Sequence, residues 1–157
     1  MRSFERESRV AAPFEAVWAF HSTIDGLRAL TPPWLHLQIE SVVGPDGDRN
    51  PETLVPGTRI EMSVRPFGVG PRQGWTSEIT ARERERGSGY FRDVMRDGPF
   101  RHWEHTHIFY ADGDETLLRD RVRYATPLGD VGDAIAPPFF EGMFRDRHRR
   151  TRDHFAP

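Results

Sequence analysis

From residue 59 to residue 125 the chain alternates apolar and polar side chains, interrupted only by short turns rich in glycine, proline and aspartate. A period of two belongs to a half-buried strand, one face in the core and the other in water. Ile60, Met62 and Val64 alternate with Arg59, Glu61, Ser63 and Arg65. Trp75, Ser77, Ile79 and Ala81 alternate with Thr76, Glu78, Thr80 and Arg82. Gly87-Ser88-Gly89 leads into a strand over 90–96, and Asp97-Gly98-Pro99 turns the chain again. Strands over 100–110 and 116–125 follow, joined by Asp112-Gly113-Asp114. So many strands in sequence, each reversed by a short turn, predict an antiparallel meander.

The helical signals lie outside that meander. A short first strand over 4–11 ends at Ala12-Pro13, and Pro13 suits the first turn of a helix. Phe14, Val17, Trp18, Ile24 and Leu27 recur at helical spacing. Asp25-Gly26 and Thr31-Pro32-Pro33 break the run, which predicts two short helices. Residues 37–42 return to period two, with Leu37, Ile39 and Ser41 on one face. The last segment carries Val131, Ile135, Phe139, Met143, Phe144, Arg147, Thr151 and Phe155 at helical spacing, and Pro137-Pro138 should kink it or split off its start. Helices segregated from a continuous meander predict an α+β class, a curved antiparallel sheet of about six or seven strands around a long C-terminal helix. No linker or repeat divides residues 1–157, so one domain is expected.

Alternation also says which polar groups point inward. Arg119, Arg121 and Arg123 occupy alternate positions and must take the solvent face, which turns Leu118, Asp120, Val122 and Tyr124 toward the core. One face of the preceding strand carries Trp103, His105, His107 and Phe109. A two-residue loop centred between Gly113 and Asp114 sets His107 opposite Asp120, His105 opposite Val122, and Trp103 opposite Tyr124. A buried carboxylate needs a partner, and an imidazole is the nearest available. Phe91, Asp93 and Met95 share a face of the strand before, so Asp93 can join the group. Two readings remain open: a polar floor that orients a ligand or moves a proton, with His105, His107, Asp120 and Tyr124 as the acid–base candidates, or a satisfied network that only fixes register. His105, His107 and Asp120 would also make a conceivable metal triad. Nothing in the spacing favours it over a plain His–Asp pair, and no metal or cofactor is expected.

Charge and composition narrow the classes. With 22 Lys+Arg against 24 Asp+Glu, the chain lacks the basic excess of a nucleic-acid binder. The basic run Arg145, Arg147, His148, Arg149, Arg150 and Arg152 reads as a solvated helix face. The absence of cysteine excludes disulfides and thiolate chemistry. No apolar run long enough to span a bilayer and no signal-peptide pattern is visible, so a cytoplasmic protein without stable membrane insertion, monomeric or a weak homodimer, is expected. No serine sits in a nucleophile elbow, and Gly68, Gly70 and Gly74 lack phosphate-loop spacing and suggest a loose hairpin.

Ala11-Ala12-Pro13, Val17-Trp18-Ala19-Phe20 and Leu30-Thr31-Pro32-Pro33 together resemble the opening of the SRPBCC superfamily, the START-like helix-grip proteins. Asp93, Gly98-Pro99-Phe100, Trp103, His105, His107, Phe109, Asp120, Val122, Tyr124, Pro127-Leu128-Gly129, Phe144 and Arg147 extend the likeness over nearly the whole chain. The resemblance implies a tunnel between sheet and helix that takes a small hydrophobic molecule such as a lipid, isoprenoid or polyketide. The alternative it carries is a cyclase or dehydratase using His and Asp as acid–base groups. Met95 departs from the pattern, where a polar residue such as glutamine is expected. The expected lining is Trp34, Met62, Trp75, Asp93, Met95, Trp103, His105, His107, Phe109, Asp120, Tyr124, Phe140 and Phe144, with Trp34 on a loop at the entrance.

Overall fold

A computed structural model describes residues 1–157. Seven strands, β1 (Arg2–Val10), β2 (Gln38–Val43), β3 (Arg59–Val64), β4 (Gln73–Glu85), β5 (Ser88–Arg96), β6 (His102–Asp112) and β7 (Glu115–Ala125), form one antiparallel sheet in the order β1-β7-β6-β5-β4-β3-β2. Helices α1 (Phe14–His21) and α2 (Ile24–Leu30) follow β1. Helices α3 (Gly129–Ile135) and α4 (Pro137–His154) follow β7. This is the α+β helix-grip arrangement. No helix is long and apolar enough to cross a membrane.

The β6–β7 hairpin has the loop expected from its sequence. Asp112 pairs with Glu115, leaving Gly113 and Asp114 as the loop, and Gly113 takes φ 59°, a conformation glycine adopts without strain. The register therefore sets Trp103 opposite Tyr124, His105 opposite Val122, and His107 opposite Asp120. On the outer face Arg119 and Arg121 stand directly across from Glu7 and Glu5 of β1 and are paired with them. Such exposed pairs add little stability, but a slipped register would set like charges side by side.

Two bulges modify the alternation. Between Ile39 and Ser41 the register of β2 shifts, with Glu40 as the extra residue, so Val42 rather than Ser41 shares the inner face with Ile39. A second shift between Ile79 and Ala81 in β4 turns Arg82 inward, where its guanidinium lies 4.8 Å over the Trp18 ring and donates to Ser22 Oγ. An extra residue reverses the face of everything beyond it and bends the strand.

The helices follow their local chemistry. Thr23 caps α2 by accepting from the Gly26 N–H, so Asp25-Gly26 lies inside the first turn and the break between the helices falls at Ser22-Thr23. Pro137-Pro138 splits the last segment as expected and starts α4, where a missing N–H is tolerated. The split carries a correction. Val131 and Ile135 of α3 face solvent, because the restart at Pro137 breaks their phase with α4, and α3 docks through Gly132 and Asp133 instead. On α4 the deepest stripe is Phe140, Phe144, His148 and Thr151. His148 is fully buried, which overturns the reading of the whole Arg145–Arg152 run as a solvated face; Arg145, Arg149 and Arg152 do face solvent.

Candidate functional site

The helices and the sheet do not close completely on one another. Between them lies a cavity of about 270 Å³, lined mainly by apolar side chains of α2, β3, β4, β5, β6 and α4. Of the residues singled out by sequence, Met62, Trp75, Asp93, Met95, Trp103, His105, His107 and Phe144 line it. Five others lie elsewhere. Phe109 is core, packed edge-on against Trp18 at 5.3 Å. Phe140 is buried against Tyr124 at 4.7 Å, and the Tyr124 hydroxyl donates to the carbonyl of Asp133 (3.0 Å), away from the cavity. Asp120 sits one layer behind the wall. Trp34, in a 3₁₀ turn (Pro33–Leu35), stacks on exposed Phe67 at 4.9 Å and meets the lining residue Phe139 edge-on at 5.9 Å.

The polar wall is built from three adjacent strands and α4. His105 Nε2–H donates to Asp120 Oδ1 (2.6 Å), and His148 Nε2–H donates to Asp120 Oδ2 (2.5 Å). His148 Nδ1 in turn meets Ser8 Oγ at 2.7 Å. His107 Nε2–H donates to Asp93 Oδ2 (2.8 Å), and the His105 and His107 rings stack at 3.6 Å. The bonded pairs are therefore diagonal neighbours. His107 is directly opposite Asp120 yet 3.5 Å away, and Asp93 is directly opposite His105 yet 3.9 Å away. Strand twist displaces facing side chains along the diagonal, and two-atom reach decides the partner.

Electrostatics follow from this wiring. Burial opposes ionisation of Asp120, but the hydrogen bonds and charges of His105 and His148 outweigh it and hold the carboxyl well below its usual range. Asp93 is likewise lowered, burial being overcome by His107, His105 and the Arg147 guanidinium. Burial, reinforced by the neighbouring His105, pushes His107 down to about 4 despite Asp93. His21, which the sequence did not single out, also lines the cavity. Burial and the Arg147 charge push it down to about 3, so it is neutral; its Nδ1–H donates to the Val17 carbonyl and Nε2 is left without a partner.

Arg147 was also missed as a lining group. Its α4 neighbours Arg149 and Arg150 are both paired with Asp146, whereas Arg147 faces the cavity without an ion-pair partner. The i, i+4, i+8 spacing of Phe140, Phe144 and His148, with Phe139, Met143 and Arg147 one step around, was the signal that could have found Arg147 and the buried His148. Asp93, His105 and His107 each bring one ligand-type atom within 4.8 Å of the others.

Chemically, Asp120 fixes one tautomer of His105. In the neutral ring, with Nε2–H committed, Nδ1 carries the lone pair and makes no protein hydrogen bond, on a side chain that lines the cavity. The wall thus offers lone-pair nitrogens, a carboxylate and one free cation to whatever enters an otherwise apolar space.

Solved structures similar to this chain share its fold. Norcoclaurine synthase from Thalictrum flavum, in complex with dopamine and hydroxybenzaldehyde, is 18% identical with a TM-score of 0.67 over 97% of this chain and 84% of its own. A protein of Chromobacterium violaceum is 13% identical with a TM-score of 0.69 over 99% and 97%. Ara h 8.0201 is 18% identical with a TM-score of 0.58 over 96% and 97%. At these identities the likeness shows a shared helix-grip fold alone. No curated protein sequence matches the chain. A family model matches nearly the full length, residues 8–155, and the chain belongs to that family, described as "Domain of unknown function (DUF8410)".

Proposed function

We propose that the protein binds a compact, mostly apolar molecule that carries one acidic oxygen function, such as a short lipid or isoprenoid acid or a small polyketide. The observation that carries this reading is Arg147, a cation on the wall of an apolar cavity that acts on Asp93 from a distance but has no carboxylate within ion-pair contact. An unpaired charge beside apolar surface is unfavourable unless a ligand or water completes it. The size of the cavity, near the lower end of the roughly 300–1,000 Å³ typical of small-molecule sites, favours one ring system or one short chain over a two-chain lipid. Trp34, Phe67 and Phe139 would form an aromatic gate at its rim.

The test uses Trp75 and Trp103, which line the cavity, as fluorescent reporters. Medium-chain carboxylates should quench them saturably, the matching methyl esters should bind more weakly, and Arg147→Met should weaken the acids about tenfold or more while leaving the esters unchanged. Absence of saturable binding by any member of the series, together with bare protein in native mass spectrometry after gentle purification, would refute the reading.

A second reading is supported by the orientation of His105. A carboxylate behind an imidazole that lines a cavity and has its other nitrogen without a hydrogen bond is the arrangement of a general base, suited to a cyclisation or dehydration. It requires that His105→Gln abolish turnover of a bound molecule without weakening its binding. Equal loss of both would leave only the binding role.

A further inference from the structure

We propose that Asp93, His105 and His107 form a binding site for a divalent transition-metal ion of the zinc or cobalt type, through Asp93 Oδ2, His105 Nδ1 and His107 Nε2. Asp93 Oδ2 lies 2.8 Å from His107 Nε2 and 3.9 Å from His105 Nδ1, and the three ligand atoms fall within 4.8 Å of one another. Around an ion with bonds of about 2.0–2.2 Å, ligand atoms stand about 3–3.5 Å apart. The widest separation therefore needs to close by at most about 1.3–1.8 Å, which is less than about 1 Å for each atom when both move. Two nitrogens and one carboxylate oxygen suit zinc and its first-row neighbours, not calcium or magnesium.

The independent observation is an orphaned atom. His107 Nδ1 is buried and has no hydrogen-bond partner, and it lies 3.5 Å from Asp120 Oδ1. With the proton on Nε2, as the bond to Asp93 requires, two acceptors face each other there with no hydrogen between them. A metal at Nε2 reverses this. The proton moves to Nδ1 and can be donated to Asp120, while Asp93 exchanges an N–H bond for a metal bond. His105 needs no change, since its Nε2–H already donates to Asp120 and its Nδ1 is free. Asp120 would then hold the outer N–H of both ligating histidines, with His148 on its second oxygen. A carboxylate behind a ligating histidine is the usual outer shell of such sites.

The fold supports the geometry. His105 and His107 sit two apart on β6 and stack at 3.6 Å, and Asp93 comes from the adjacent strand. The remaining coordination positions would open on the cavity and on Arg147, where an acidic ligand oxygen could meet both metal and guanidinium. The site itself requires no organic ligand, so it stands or falls separately from the binding reading. It excludes the base role of His105, because one lone pair cannot serve both.

The experiment titrates tag-free, chelator-treated full-length protein with zinc by calorimetry and with cobalt(II) by visible absorption, with no organic molecule present. One ion per chain should bind in the micromolar range or tighter. Asp93→Asn and His105→Gln, each checked for native circular dichroism, should lose at least about 100-fold in affinity, and Asp120→Asn about 10–100-fold. Imidazole nitrogen shifts should move the His107 proton from Nε2 to Nδ1 on zinc addition. No binding of either ion, binding undiminished in both variants, or a His107 proton that stays on Nε2 with zinc bound would each overturn the proposal. If one variant does not fold, the other and the tautomer measurement still decide.

Discussion

Replacing Asp120 tests whether the polar layer is wired as described. The side chain is 1% exposed and accepts from two imidazoles at 2.6 and 2.5 Å. Asp120→Ala leaves the His105 and His148 N–H groups buried without an acceptor, at about 1–3 kcal/mol each, so a total near 4 kcal/mol is expected. Asp120→Asn should be much milder. Its carbonyl can still accept from His105, and His148 can exchange tautomers, receiving the new amide N–H at Nε2 and donating Nδ1–H to Ser8 Oγ. Only the charge-assisted increment is lost, about 1–2 kcal/mol. With a urea slope of about 2 kcal/mol/M, the midpoint should fall by about 2 M for Ala and by about 0.5–1 M for Asn, followed by tryptophan fluorescence and circular dichroism. Acid adds a second readout. The folded protein holds Asp120 well below the ordinary carboxyl value, so its contribution is complete above the unfolded value near pH 4 and is lost as pH falls through the folded one. The Asn variant should therefore approach wild type as pH drops below about 4. Equal losses for Ala and Asn, losses under about 1 kcal/mol for both, or a gap indifferent to acid would refute the wiring.

Two further outcomes follow from other parts of the structure. His21 is held neutral, pushed down to about 3, so protonation favours the unfolded chain once pH falls below about 6.5. His21 should account for about 2 kcal/mol of the stability lost between pH 7 and pH 5, beside a similar share from His107, which is pushed down to about 4, so His21→Gln should roughly halve that slope in urea midpoints; an unchanged slope would contradict it. Gly26 and Gly142 should respond oppositely to alanine in thermal melts. A Cβ at Gly26 would stand 1.9 Å from the Phe20 carbonyl oxygen, predicting a loss of about 1–3 kcal/mol, whereas open space around Gly142 within α4 predicts a gain of about 0.5–1 kcal/mol. Equal effects would mean that the close approach of α1 to α2 is wrong.

Local pattern carried far in this chain because its signals repeat. Arginines at 119, 121 and 123 fixed the outer face of β7, and the Gly113-Asp114 loop then fixed every pairing from Trp103–Tyr124 to Asp112–Glu115. The bulges after Ile39 and Ile79 were not legible, since a bulge adds one residue without a local composition cue and reverses the faces beyond it. Nor was the burial of His148. Its neighbours in sequence are arginines, and the rotation of α4 is set by where Pro137 restarts the helix and how Phe140 and Phe144 seat against Phe4 and Tyr124.

The sequence by itself determined the class of fold, the inward side of each regular strand and the register that gathers His105, His107 and Asp120, because side-chain period and turn length are short-range properties. Only the tertiary structure decided which imidazole meets which carboxylate, that Asp93 rather than Asp120 faces the cavity, and that Arg147 points into it. Those outcomes depend on sheet twist and helix rotation, which sum contributions from residues far apart in the chain.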